Sequence, residues 1–144
     1  MSDLLETTGR IIYDPNRFGM KRRTEWWCVV VLDNDLARYY RWWVSRYLFG
    51  RTVNDPTWLK PPAWGAHVSV VRGEKPRPKY IHNWKNHHKE IITIKYDPCP
   101  KQVDVKDKEH FWFIDAYSDD VMNIRNELGL PTHYKFHITI GRTV

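Results

Sequence analysis

Cysteine is scarce: Cys28 and Cys99 are the only two in 144 residues. Two thiols make no disulfide framework and read as reduced side chains of a cytosolic protein. No apolar run approaches the roughly 18 residues that a membrane-spanning helix needs. The N-terminal MSDLLETTGR is acidic and polar, without the basic-then-apolar order of a secretory signal. No linker is long enough to separate independent domains, so the length fits one domain with one core. His82, His87 and His88 cluster in HNWKNHH, but their spacing matches no zinc pattern and no cysteine lies near. They read as a solvated basic face, and no metal or other cofactor is expected.

Two surpluses offset these absences. The net charge is +6 with a pI near 9.4, which favours anionic partners. Aromatics make up 15%, including eight Trp. A basic, Trp-rich surface suits nucleotides, which offer a charge on each phosphate and a π-face on each base. Composition alone favours the plainer reading, in which the tryptophans fill the core and the cations are solvated. Lys21, Arg22 and Arg23 read either as a phosphate-attracting patch or as solubilising charge.

Local patterning predicts an α+β fold. Residues 1–12 read as loosely ordered and 13–25 as a turn-rich basic segment broken by Pro15, Asn16 and Gly19. WWCVVVL at 26–32 fits a buried strand. A helix over 34–49 follows, capped by Asp33 or Asn34, with Leu36, Tyr40, Trp43 and Tyr47 on one stripe and Gly50 beyond its end. After a proline-containing loop, AHVSVVR forms a strand at 66–72. A short helix at 80–88, a strand at 90–96 and a polar loop at 97–109 come next. HFWFIDAY at 110–117 is a strand, Ser118 or Asp119 caps a helix to about 128, and the last strand spans 135–141. Strand–helix–strand thus occurs twice. The simplest architecture is one bilobal domain over 1–144, with lobes at about 20–80 and 90–144 flanking a cleft.

Each unit ends on the same motif. His67-Val68-Ser69-Val70-Val71-Arg72 is echoed by His137-Ile138-Thr139-Ile140-Gly141-Arg142. One His–apolar–hydroxyl–apolar match is weak, with roughly 0.1 expected by chance in such a chain, but two that close similar units are not expected by chance. Strand residues i and i+2 share a face, so His67 and Ser69 point together, as do His137 and Thr139, while the aliphatic residues point into the core. Two facing imidazoles make an acid–base pair, because a pKa near 6.5 lets one be neutral and the other charged. That pair suits phosphodiester cleavage: one imidazole takes a proton from an attacking hydroxyl, the other gives one to the leaving oxygen, and the hydroxyls donate to the non-bridging oxygens. With a ribonucleotide, the 2′-hydroxyl is the nucleophile and a 2′,3′-cyclic phosphate the first product.

Arg72 and Arg142 stand five residues after their histidines, so strict alternation turns them to the opposite face. They reach a phosphate only if Gly73 or Gly141 breaks the alternation; otherwise they are solvated strand-end charges. Tyr13, Trp64 and Trp84 lie in turn-rich or polar segments, where they are candidates for base stacking as well as for packing.

The paired motifs resemble the signature of the 2H phosphoesterase superfamily. YDPNR at 13–17, MKRRTEWWC at 20–28, ARYYRWW at 37–43, HVSVVRGEKP at 67–76, FWFI at 111–114, IRNELGL at 124–130 and HITIGR at 137–142 resemble one branch of it, the anti-CBASS nucleases of tailed phages, nearly end to end. The resemblance implies a bilobal metal-independent phosphodiesterase with His67, Ser69, His137 and Thr139 as catalytic residues. It implies cyclic di- and trinucleotide defence signals, such as 3′,3′-cyclic GMP–AMP, as substrates in the host bacterial cytoplasm, with neither membrane nor large nucleic acid as partner. The alternatives are a 2′,3′-cyclic phosphodiesterase of RNA ends and a non-catalytic module that sequesters the nucleotide.

Overall fold

A computed structural model describes residues 3–15, 24–49, 59–61, 65–104, 110–132 and 135–142. Among the described residues, seven strands and two α-helices run in the order β1 (Leu5–Tyr13), β2 (Trp27–Val31), α1 (Asn34–Phe49), β3 (His67–Arg72), β4 (Ile91–Tyr96), β5 (Lys101–Asp104), β6 (His110–Tyr117), α2 (Asp119–Glu127) and β7 (Phe136–Arg142). All strand pairings are antiparallel, in the order β4-β1-β2-β3-β7-β6-β5. A further pairing of Lys95 and Tyr96 with Tyr117 and Ala116 joins β4 to β6 and closes a six-stranded barrel, with β5 appended to β6.

This overturns the expected two-lobed α+β arrangement. The two predicted strand–helix–strand segments form as β2-α1-β3 and β6-α2-β7, but their strands join one closed sheet instead of two lobes about a cleft. Two features produce the difference. The N-terminal residues, expected to be loose, form β1, and β1 pairs with both β2 and β4. The strand expected at 90–96 then bridges β1 and β6. The polar loop expected at 97–109 contains β5, and the helix expected at 80–88 is a short 3-10 segment, Pro78–Asn83.

Local chemistry explains the elements that were expected. β2 is rich in β-branched residues and buried through four of its five positions. At the start of α1, Asp33 Oδ1 accepts from the Asp35 amide at 2.9 Å. Ser118 Oγ accepts from the Val121 amide at 3.3 Å, and Asp119 and Asp120 sit in the first turn of α2, where the helix dipole favours negative charge. Gly129, at φ +71°, ends α2, and the Leu130 amide reaches back 3.0 Å to the Arg125 carbonyl. Alternate residues of all six barrel strands enter one core with Ala37, Tyr40 and Val44 of α1 and Val121, Ile124 and Leu128 beside α2's face. No helix among the described residues is long and apolar enough to cross a membrane.

β1 lies so close to β2 that a Cβ on Gly9 would come within 2.9 Å of the Val31 carbonyl oxygen, and nearer still to the Val30 and Leu32 side chains. Gly9→Ala is therefore expected to lower stability by about 1–3 kcal/mol through overpacking. Urea denaturation measures it, and wild-type stability would contradict this placement of β1.

Candidate active site

The two motif strands are neighbours. β3 and β7 run antiparallel with Val68 opposite Ile138. That register sets Ser69 across from His137 and His67 across from Thr139. Val68, Val70, Ile138 and Ile140 are buried in the core, so the two imidazoles and two hydroxyls share the opposite face. The histidines are diagonal neighbours, a relation that sets residues on the order of 7–8 Å apart with their Cβ atoms somewhat closer. The two motifs lie side by side on adjacent strands of one sheet, and the expected meeting across a cleft between two lobes does not occur.

The arginine question is answered by a bulge in each strand. On β2, the consecutive residues Val29 and Cys28 face Ser69 and Val71, which leaves Val70 as an extra residue in β3. On β6, Phe113 and Trp112 face Thr139 and Gly141, which leaves Ile140 as an extra residue in β7. An extra residue reverses the alternation. Val70 and Val71 are both buried, as are Ile140 and Gly141, and the next residue in each strand returns to the histidine face. Arg72 lies over Trp27, 5.8 Å from its ring centre, and its charge acts on both histidines. Arg142 faces Phe111 across the sheet, and its Nε is buried without a hydrogen-bond partner among the described residues. The break thus falls at Val70–Val71 in β3 and at Ile140–Gly141 in β7, so Gly141 belongs to its bulge as expected whereas Gly73 does not. Gly73, at φ +75°, lies beyond Arg72. Gly141 also permits close packing, since a Cβ there would come 3.2 Å from Leu59 and from the Lys60 carbonyl oxygen.

Three further residues flank the histidines. Trp27 packs edge-on to His67 at 6.0 Å and points its Nε1–H at Ser69 Oγ, 3.5 Å away. Phe113 packs edge-on to His137 at 5.6 Å. Asp115 lies directly across from His137 and pairs with Lys101. The alternation of HFWFIDAY, which sends Trp112 and Ile114 inward and Phe113 and Asp115 to the other face, was the signal for the last two. A cavity of 820 Å³ opens beside His137, lined by Phe113, Asp115, Tyr117, Met122 and Lys135 among others.

The aromatic candidates fare differently. Tyr13 is buried, with its ring against Trp84 at 4.9 Å, and Trp84 in turn meets Trp26 at 5.1 Å. These rings are occupied by one another, and the structure does not bring them to the paired motifs. Trp64 and Lys21–Arg23 lie outside the described residues. Of the histidine cluster, His87 bridges Glu90 and Glu127 at 2.7 Å each, and His88 Nδ1 accepts from the Tyr13 amide at 3.2 Å. Among the described residues no three His, Cys, Asp or Glu side chains converge as metal ligands.

The two site histidines are held differently. His67 Nδ1 lies 2.7 Å from the Gly65 carbonyl oxygen. A carbonyl only accepts, so Nδ1 carries a proton and the neutral ring has its lone pair on Nε2. Burial lowers the His67 pKa below the ordinary 6.5; the Gly65 bond opposes this, and the charges of Arg72 and His137 add to it. His137 is also lowered, chiefly by desolvation among its neighbours and further by Arg72, while the Asp115 charge works in the other direction.

No family model, curated protein or solved structure matches the chain.

Both imidazoles are therefore expected to titrate below pH 6.5 in the free protein, as followed by the ring C–H resonances in NMR; a midpoint above 6.5 for either would contradict this electrostatic account. The same depression has a stability consequence. Below pH 6.5 the unfolded chain binds protons that the folded chain resists, so stability is full above that pH and falls as pH drops towards the folded values. His67→Asn should flatten this fall between pH 7 and 5 in urea denaturation.

Proposed function

We propose that the protein is a phosphodiesterase that opens 3′–5′ linked cyclic di- and trinucleotides by attack of a ribose 2′-hydroxyl. The observation that carries this reading is the assembly of two imidazoles, two hydroxyls and two arginines on one face of adjacent strands. A phosphate seated there would have the two imidazoles at the ends of one diagonal, the two hydroxyl donors at the ends of the other and a guanidinium beyond each strand's hydroxyl.

Each group has a role in that geometry. His67, with its lone pair on Nε2, accepts the proton of the 2′-hydroxyl as the new O–P bond forms. The bond from phosphorus to the 5′-oxygen breaks on the opposite side, and that oxygen takes a proton from His137. Asp115, across from His137, favours its imidazolium form, and so does the negative charge of a bound phosphodiester. Ser69 and Thr139 donate to the non-bridging oxygens. Arg72 and Arg142 balance their charge. The product is a linear nucleotide ending in a 2′,3′-cyclic phosphate. The cavity beside His137 is in the size range of small-molecule sites and is walled by Phe113 and Tyr117, as a nucleobase would require. The resemblance of the motifs to anti-CBASS nucleases supplies the biological setting: opening the ring in the bacterial cytoplasm removes the signal that activates a defence effector.

Incubation with 3′,3′-cyclic GMP–AMP in EDTA, with products separated by chromatography, tests the reading. His67→Ala and His137→Ala should each lower kcat by about 10²–10⁴-fold, and a 2′-deoxy ring should resist cleavage. An intact ring with wild-type protein, or cleavage that survives both substitutions, overturns it. Ligand bound but recovered unchanged would mark a sequestering module. A preference for a linear oligoribonucleotide ending in a 2′,3′-cyclic phosphate would mark an RNA-end enzyme.

A further inference from the structure

Each bulge takes one residue out of the ladder, and each leaves a carbonyl for another group to serve. Arg125 Nη1 donates to the Val70 carbonyl at 2.8 Å, and Arg41 Nη1 donates to the Ile140 carbonyl at 3.2 Å. Val70 and Ile140 are the two extra residues. The donors also correspond. Arg41 and Arg125 lie eighty-four positions apart, the spacing that also separates Trp27 from Phe111, Val29 from Phe113 and Val31 from Asp115. These last three pairs occupy equivalent places beside the two motif strands. The service is crossed: α1, which precedes β3, holds the bulge of β7, and α2, which precedes β7, holds the bulge of β3.

We propose that Arg41 and Arg125 are positioning residues that keep Arg142 and Arg72 on the histidine face by holding the carbonyls of the two bulges. This rests on the phosphodiesterase reading for its catalytic consequence, but not for its structural one. Arg125 is wholly buried and is itself fixed by Glu74, whose two oxygens each accept at 2.8 Å, and by the Pro131 carbonyl at 2.7 Å. Arg41 lays its stem against Gly141, where a Cβ would come 3.3 Å from its Cδ. Without a donor the bulge carbonyl must find another partner, and the regular register is the nearest alternative. That register turns the terminal arginine away from the histidines.

Two arms test this on the full chain. In hydrogen–deuterium exchange, Arg41→Met should speed exchange around residues 140–142 of β7 and leave 70–72 of β3 as in wild type, although β3 belongs to the same sequence unit as α1. Arg41→Lys, which keeps a cationic donor, should recover part of the protection. In the cyclic GMP–AMP assay, Arg41→Met should raise KM roughly tenfold, the worth of one charged hydrogen bond. It should add almost nothing when Arg142 is already Ala, while adding in full to Arg72→Ala. Unchanged exchange at 140–142, or an Arg41→Met effect that adds in full to Arg142→Ala, overturns the proposal. Arg41 carries the test because Arg125→Met, which strips Glu74 of its buried partner, is a candidate for misfolding. A wild-type protein that leaves the ring intact sinks the functional reading alone, and the exchange arm still decides this one.

Discussion

A β-bulge orphans a backbone carbonyl, and a carbonyl beside a buried strand must be served or the bulge will anneal back into a regular ladder. The site depends on resisting that annealing twice. With regular alternation, β3 and β7 would present imidazole and hydroxyl on one face and guanidinium on the other, which is a poor phosphate site. The extra residues Val70 and Ile140 reconcile two demands within one strand. Val68 and Val70 anchor one strand and Ile138 and Ile140 the other, while the three polar residues of each strand share the opposite face. The arginines of the helices make this reconciliation stable because a guanidinium can serve a carbonyl and a second acceptor at once, as Arg125 does with Val70, Glu74 and Pro131.

The same requirement explains why a buried arginine is tolerated in so small a core. An unpaired guanidinium at that depth would be prohibitive. Arg125 instead finds carbonyls that a bulge and a helix end would otherwise leave unserved, along with a carboxylate whose pKa it holds below the usual range through that hydrogen bond. Helix, strand end and bulge are thereby locked together. The helix that follows one motif's partner strand packs on the other motif strand, which adds to the sheet closure by β1 and β4 in holding the halves together.

Strands and helices with strong local patterns were legible. WCVVV, HVSVVR, IITIKY and FHITIGR all form strands, both α-helices begin where the caps place them, and the doubled motif pointed to residues on neighbouring strands. Pairing partners were not legible, because local periodicity carries no information about which strand lies beside which. β1 shows this most clearly. LETTGRIIY buries only Gly9, Ile11 and Tyr13, so its polar first half hid a strand whose role is to join β4 to β2. Parity also misled. Five residues from His to Arg gives the wrong face in any unbroken strand; Gly141 signalled the break in β7, but the Val70–Val71 bulge of β3 leaves no composition signal of the Gly or Pro kind. Tyr13 and Trp84 sit in segments that read as exposed, yet they cap the core edge-on to one another.

The internal repeat makes the two histidines equivalent in backbone position, so any difference in their chemistry must come from neighbours that break it. Those neighbours are few. Opposite His67 stands Val31, and opposite His137 stands Asp115. His67 has the Gly65 carbonyl on Nδ1, whereas His137 has a carboxylate in its field. A carbonyl fixes a tautomer without adding net charge, while a carboxylate favours the protonated ring. Arg72 depresses both rings equally in sense, so it does not choose between them. On the proposed reading, a bound phosphodiester would neutralise that arginine and bring the missing negative charge. Of the two imidazoles it would then meet, the one already facing Asp115 gains a proton at less cost. On the phosphodiesterase reading, the asymmetry that would separate acid from base rests on the valine-to-aspartate difference between these two strand positions together with the Gly65 carbonyl on His67, and a substrate's own charge would complete it.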